Sequence, residues 1–200
     1  MDAVMEKRFR AYESAPLSWD PTKGGKRSFV CFEDSISEIV AEQAQPGQFE
    51  QAARQMLAGD YYPADAVQFF GRFRDENRNL AKGERVLQRA RFFPFYAGLY
   101  LWSMVEIYVV EQTENTCRIG YVTTQKHHGR GIWTATLEQK DGKLTLTVES
   151  TACPNSWAFW LGLPIARYLQ LRARSRGIEN IRSQLSRSES PRPSGSPNPS

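Results

Sequence analysis

The sequence predicts an α+β domain in which a curved antiparallel sheet of about seven strands is closed by one long C-terminal helix. Three observations carry this. Residues 117–149 alternate in polarity over successive short runs, Asp141-Gly142 joins two of those runs, and apolar residues recur at helical spacing between Pro154 and Leu185. Clean alternation marks half-buried strands, and Asp-Gly between two such runs marks a tight hairpin.

The elements follow in order. Met1 to Arg27 has no sustained period and contains Pro16, Pro21 and Gly24-Gly25, so residues 1–27 are expected to be a flexible arm. Ser28 to Glu33 is a short apolar run consistent with a first strand. Ser35-Ile36-Ser37-Glu38 has the spacing of a capping box, with Ile36, Ile39 and Val40 behind it at helical spacing up to Pro46-Gly47. A second helical stripe is made by Phe49, Ala52, Ala53, Met56 and Leu57, with Gly59 as its stop.

The period then drops to two. Val67, Phe69 and Phe73 form one run, Glu84 to Phe93 a weaker one, and Val105, Ile107 and Val109 a third. Cys117, Ile119 and Tyr121 follow, then Trp133, Ala135 and Leu137, then Leu144, Leu146 and Val148. Trp157, Trp160, Leu161, Pro164, Ile165 and Tyr168 line the closing helix, Pro164 marking a restart because proline suits a first turn. One domain over 28–185 and a disordered Ser/Pro-rich tail over 186–200 complete the organisation.

The composition, 40% hydrophobic and 24% charged, is that of an ordinary globular protein and excludes wholesale disorder. A formal charge of +4 is compatible with an anionic partner. Cys31, Cys117 and Cys153 are far apart and odd in number, which predicts reduced thiols and a cytoplasmic location. Phe92 to Val105 holds fourteen residues without a charge. A spanning helix needs roughly twenty, and Pro94 and Gly98 interrupt the run, so it reads as core.

Gly120-Tyr121-Val122-Thr123, then His127, then Gly131, resembles the central motif of the DUF1990 family, a domain of unknown function found in bacteria and plants. Trp157 to Gln170, with Pro164 and Arg167, resembles the final helix of that family. The resemblance spans Gln48 to Leu185. Members commonly follow the glycine matching Gly131 with two carboxylates, where this chain has Ile132 and Trp133, so no role of those acids carries over. The resemblance implies a one-domain protein without an established activity, some plant relatives being associated with organelle membranes. The element order is also similar to the START-like helix-grip architecture, which implies a cavity between the sheet and the last helix; such an analogy does not itself name a ligand.

His127 and His128 are the only histidines. No Gly-x-Ser-x-Gly elbow accompanies them and no carboxylate is near in sequence, so one is read as a turn cap, and a hydrolase using His127 ranks last. Adjacent residues of an extended segment point to opposite faces and would not share one metal ion. No phosphate loop is present, so no catalytic residue, cofactor or metal is assigned.

The preferred reading is a non-catalytic binder of an apolar or amphipathic, lipid-like molecule. Tyr121, Thr123, Trp133, Trp157 and Trp160 are expected to line its site, with Tyr121 or His127 as polar anchor and Glu106 as a further polar group. Arg167, Arg172 and Arg174, with Arg176 and Arg182, form a basic face suited to anions. That face supports the alternative of peripheral contact with an anionic membrane, nucleic acid being the less favoured partner.

Overall fold

A computed structural model describes residues 2–22, 31–91, 99–154 and 163–188. Helix α1 (Ala3–Glu13) comes first, then strand β1 (Phe32–Ala41), helix α2 (Gln48–Leu57), strand β2 (Val67–Phe70) and the short helix α3 (Arg72–Asp75). Strands β3 (Arg85–Arg91), β4 (Tyr100–Gln112), β5 (Thr116–Thr123), β6 (Gly129–Lys140) and β7 (Lys143–Pro154) follow, and helix α4 (Leu163–Ser188) closes the fold. The seven strands form one curved antiparallel sheet in the order β1-β7-β6-β5-β4-β3-β2.

The hairpin expected from Asp141-Gly142 is there. Both residues have positive φ (51° and 73°), the combination a two-residue type I′ turn demands, and Lys140 pairs with Lys143 across it. From that turn the register runs Leu137↔Leu146 and Ala135↔Val148, all four side chains buried. Together with Cys117 and Ile119 of β5 they form the inner face. The apolar stripe of α2 (Phe49, Ala52, Ala53, Met56, Leu57) packs on that face beside Ile178, Ile181 and Leu185 of α4. Each fully buried side chain of this size contributes roughly 1.5–3 kcal/mol, so this is where α4 is anchored.

Three local expectations fail, each for a tertiary reason. The Ser35–Glu38 segment is the middle of β1, not a helix. Its burial alternates, with Ile36, Glu38 and Val40 turned inward, and β7 pairs with it from Phe32↔Ala152 to Ala41↔Leu144. Ser37 uses its hydroxyl across the strands, 2.7 Å from Thr147 Oγ1, instead of capping a helix. A ladder of nine residue pairs outweighs one capping box. In the arm, Ala3–Glu13 is helical, with Asp2 accepting from the Met5 N–H at 2.8 Å. Phe9 packs on Leu87 and Met104, and Trp19 on Val122 and Cys153, so the arm covers the outer face of the sheet. Phe73 belongs to α3, where it is buried, β2 having ended at Phe70.

Cys31 and Cys153 form a disulfide, which corrects the expectation of three reduced thiols. The β1–β7 register places them opposite one another just beyond Phe32↔Ala152, a proximity that 122 residues of separation conceal. Cys117 is a buried free thiol whose pKa burial pushes up to about 11. The uncharged run from Phe92 enters the described residues at Leu99, and Tyr100 to Val105 form the start of β4. Among the described residues no helix is long and apolar enough to cross a membrane.

Candidate functional site

The inner face carries a cluster of five rings. Tyr121 on β5 and Trp133 on β6 are paired in register and stack, their centroids 5.1 Å apart and their planes 17° apart. Tyr61 and Tyr62, from the segment after α2, meet Trp133 at 5.0 and 5.8 Å, and Phe69 of β2 meets Tyr121 at 6.2 Å. Contacts of this geometry add to simple area burial. Polar groups lie among the rings. The Tyr121 hydroxyl bonds to Gln88 and Tyr62, and Ser103 Oγ donates to Gln88 Oε1 at 3.2 Å. Burial raises the Tyr62 and Tyr121 hydroxyls above the ordinary phenol range, so both are neutral at pH 7.

The stripe that α4 presents to the sheet changes character along its length. Its far half is apolar: Ile178, Ile181 and Leu185 are buried. Its near half is polar. Arg167 grips the Asp34 carboxylate of β1 with both terminal nitrogens, Gln170 Nε2 donates to Ser150 Oγ at 3.2 Å, and Arg174 stands 3.9 Å from Asp34. Hydrogen bonding from Arg167 holds the Asp34 carboxyl below its ordinary value, with burial opposing. Positions 167, 170, 174, 178, 181 and 185 are spaced at three and four, as one helical face requires. Ile165 and Tyr168, expected on the sheet side, are instead 44% and 54% exposed, because the arginines and Gln170 take the inward positions to meet Asp34 and Ser150.

Of the residues expected to line a site, Tyr121 and Trp133 come together. Trp133 is only 7% exposed, while Tyr121, at the centre of the inner face, remains half-buried. Ser150, Gln170, Leu171 and Arg174 are likewise half-buried, so the near half of α4 lies less tightly on the sheet than the far half. Trp157 and Trp160 lie outside the described residues. Thr123 sits at the end of β5, its hydroxyl accepting the Gly131 N–H at 2.7 Å and lying 2.7 Å from Ser18 Oγ. His127 is in the turn between β5 and β6. Its N–H donates to the Thr124 carbonyl at 3.0 Å and its Nδ1 lies 2.7 Å from the Gly129 carbonyl oxygen. Glu106 is paired with Arg85 at 3.1 Å.

Arg176 bonds both oxygens of Asp65, Arg182 bonds Glu38 at 2.8 Å, and Arg172 is half-buried. Trp102 lies on the outer face, with the Arg8 and Arg89 guanidinium groups over its ring at 4.6 and 5.7 Å. Among the described residues no group of three or more His, Cys, Asp or Glu could hold a metal ion.

Tyr61, Tyr62, Asp34 and Ser150 escape sequence reasoning. The two tyrosines stand in Asp60-Tyr61-Tyr62-Pro63, which has no period. Asp34 and Ser150 are short polar residues that only strand alternation, correctly registered, would have turned inward.

A cleft of about 480 Å³ opens between α2 and the far half of α4, with Gln51, Arg54, Asp60, Asn180 and Gln184 on its walls and Tyr62 beneath. It is polar and opens outward. Its one link to the ring cluster is Tyr62.

No curated protein matches this sequence. Among solved structures, the chain is similar to a hypothetical protein, jhp0584, from Helicobacter pylori, at 9% identity and TM-score 0.52 over 84% of this chain and 92% of that one. It is similar to Ara h 8.0201 at 14% identity and TM-score 0.51, over 79% of this chain and 99% of that one. An aromatase/cyclase, Zhui, from Streptomyces sp. R1128, matches at 8% identity and TM-score 0.51 over 79% and 94%. Identities this low speak for the fold, which is the START/Bet v1-like helix grip. The family model described as domain of unknown function (DUF1990) matches residues 36–180, and the chain belongs to that family.

Proposed function

We propose that the protein is a non-catalytic binder of an apolar or amphipathic, lipid-like molecule held between the inner face of the sheet and the near half of α4. One observation carries this reading. Tyr121, in the middle of the inner face and stacked on Trp133, keeps part of its surface open, on a sheet whose covering helix α4 is loosely seated over its near half. A domain whose only need was a filled core would bury that ring fully. Apolar walls with a few placed polar groups, here the Tyr121 hydroxyl, Gln88, Ser150 and Gln170, are the usual make-up of a small-molecule site.

The basic face of α4 is a weaker basis for a membrane or nucleic-acid surface. Arg167, Arg176 and Arg182 are each hydrogen-bonded to a carboxylate of the same chain, and an arginine so engaged has fewer donors for an outside phosphate.

Native mass spectrometry of the purified chain, followed by organic extraction, tests the binding reading. An apolar molecule should travel with the wild-type protein and be retained less by Trp133→Ala and Tyr121→Ala. A chain that flies empty, or retention untouched by both substitutions, overturns it.

A further inference from the structure

The polar half of the α4 stripe has an imbalance that the proposed binding function would use. Five charged side chains line the seam between β1 and α4: Asp34 and Glu38 from β1, and Arg167, Arg174 and Arg182 from α4. Arg182 is matched by Glu38 in a solvent-exposed pair. That leaves two guanidinium groups on one carboxylate. Arg167 occupies both Asp34 oxygens, and Arg174, with its side chain 21% exposed, reaches no closer than 3.9 Å. Arg174 Nε is buried without a hydrogen-bond partner, as are the Nε atoms of Arg89, Arg91, Arg118 and Arg130, but Arg174 alone of these is on α4 beside a carboxylate already taken by another arginine. A half-buried cation with an empty donor is costly unless an anion completes it.

A second, separate observation points to the same place. Tyr61 is 0% exposed and its hydroxyl is the only buried hydroxyl among the described residues without a partner. Its ring lies directly against α4 at Gly177, where an added Cβ would stand 2.1 Å from the ring and 2.8 Å from the hydroxyl oxygen. Gly177 is three residues beyond Arg174 and so on the same side of the helix. The ring of Tyr61 also meets Trp133. Arg174 and Tyr61 interact electrostatically, so the two unsatisfied donors stand near one another, with Trp133 against the Tyr61 ring. Buried polar groups are nearly always satisfied, and a pair of orphans on facing elements calls for a missing acceptor.

We propose that this is the head-group end of the site: the bound molecule is an amphipathic acid whose carboxylate, or an equivalent anionic oxygen, is received by Arg174 and Tyr61. Arg167 and Asp34 are positioning residues that hold the near half of α4 over the sheet. The inference rests on the binding reading given above and adds the chemical class of the ligand to it.

Fluorescence titration with cis-parinaric acid and with its methyl ester separates the two claims. The wild-type chain should take up the acid about tenfold or more tightly than the ester, since a charge-assisted hydrogen bond to an enclosed guanidinium is lost in the ester. Arg174→Gln and Tyr61→Phe should each pull that ratio towards one. Arg187→Gln, at an exposed position near the end of α4, should leave it unchanged. Thermal melts guard against misfolding as the cause, and Tyr61→Phe should not lower Tm because it removes only an unpartnered hydroxyl. Equal affinity for acid and ester overturns the acidic-ligand claim while the binding reading stands. A preference that survives in both variants overturns the assignment to Arg174 and Tyr61. Uptake of neither probe counts against both readings.

Discussion

Gly177 shows how much a single position can govern here. A glycine inside a 26-residue helix costs about 1 kcal/mol relative to alanine, so propensity alone favours replacing it. The Tyr61 ring occupies the space an alanine Cβ would need, at 2.1 Å. Tyr61 is itself held by Tyr62 at 4.7 Å and Trp133 at 5.0 Å, and cannot retreat. Overpacking of this kind costs about 1–3 kcal/mol, which matches or exceeds the propensity gain. Gly177→Ala is therefore expected to lower stability in urea titration, by up to about 2 kcal/mol net. A variant as stable as the parent would mean that the ring is free to move. The ring cluster itself was half legible in the sequence. Tyr121 and Trp133 stand at alternating positions of good strands, whereas Tyr61 and Tyr62 sit in an aperiodic connection and gain their role only from what they touch.

At the scale of elements, α4 and β1 carry the main lesson. The C-terminal helix was legible from its period, yet its inward face was misassigned over the near half. Arginine and glutamine take the sheet side in place of Ile165 and Tyr168 because Asp34 and Ser150 face them there, and a half-buried carboxylate needs its partner more than an isoleucine needs burial. The same β1 strand carries the capping-box spacing of a helix start, a short-range signal that a ladder with β7 overrides. That edge strand is also covalently tied. Cys31–Cys153 closes a long loop and fixes the start of β1 to the end of β7, next to the segment that leads into α4. Loss of a native disulfide typically costs about 2–5 kcal/mol. Cys31→Ser, or reduction of the wild type, should therefore lower Tm by several degrees. The loss should be partial, because the β1–β7 ladder from Phe32 to Ala41 remains. Identical melts with and without reductant would show that the bond contributes nothing.

At the scale of the whole molecule, the sheet has two covered faces: α2 and α4 within, and α1 with the Trp19 segment outside. Between β5 and β6 a turn holds His127 partly buried, and the desolvation there depresses its pKa to about 4. The unfolded chain, with an ordinary histidine near 6.5, then binds more protons than the folded one between those values. Stability from this source is complete above pH 6.5 and falls as the pH drops towards 4, by up to about 3 kcal/mol. Asp34, whose pKa is lowered by Arg167, adds a further loss at still lower pH, once its carboxyl protonates. Urea midpoints measured from pH 7.5 to 4 should decline in the wild type and flatten in His127→Gln. A flat wild-type profile across that window would contradict the enclosure of the ring.

The sequence by itself determined the sheet-and-helix plan: the Asp141-Gly142 hairpin, the alternating strands from Cys117 to Val148, the apolar stripe of α2 and the existence of α4. Each of these is written in residues that are neighbours along the chain, through a period or a turn type. Tertiary structure alone decided the disulfide, the identity of β1, the covering of the outer face by α1, and the meeting of Asp34, Tyr61, Arg167 and Arg174. These join residues up to 140 positions apart. Such contacts depend on register and on which side chain can satisfy a buried charge, and neither is fixed by local spacing.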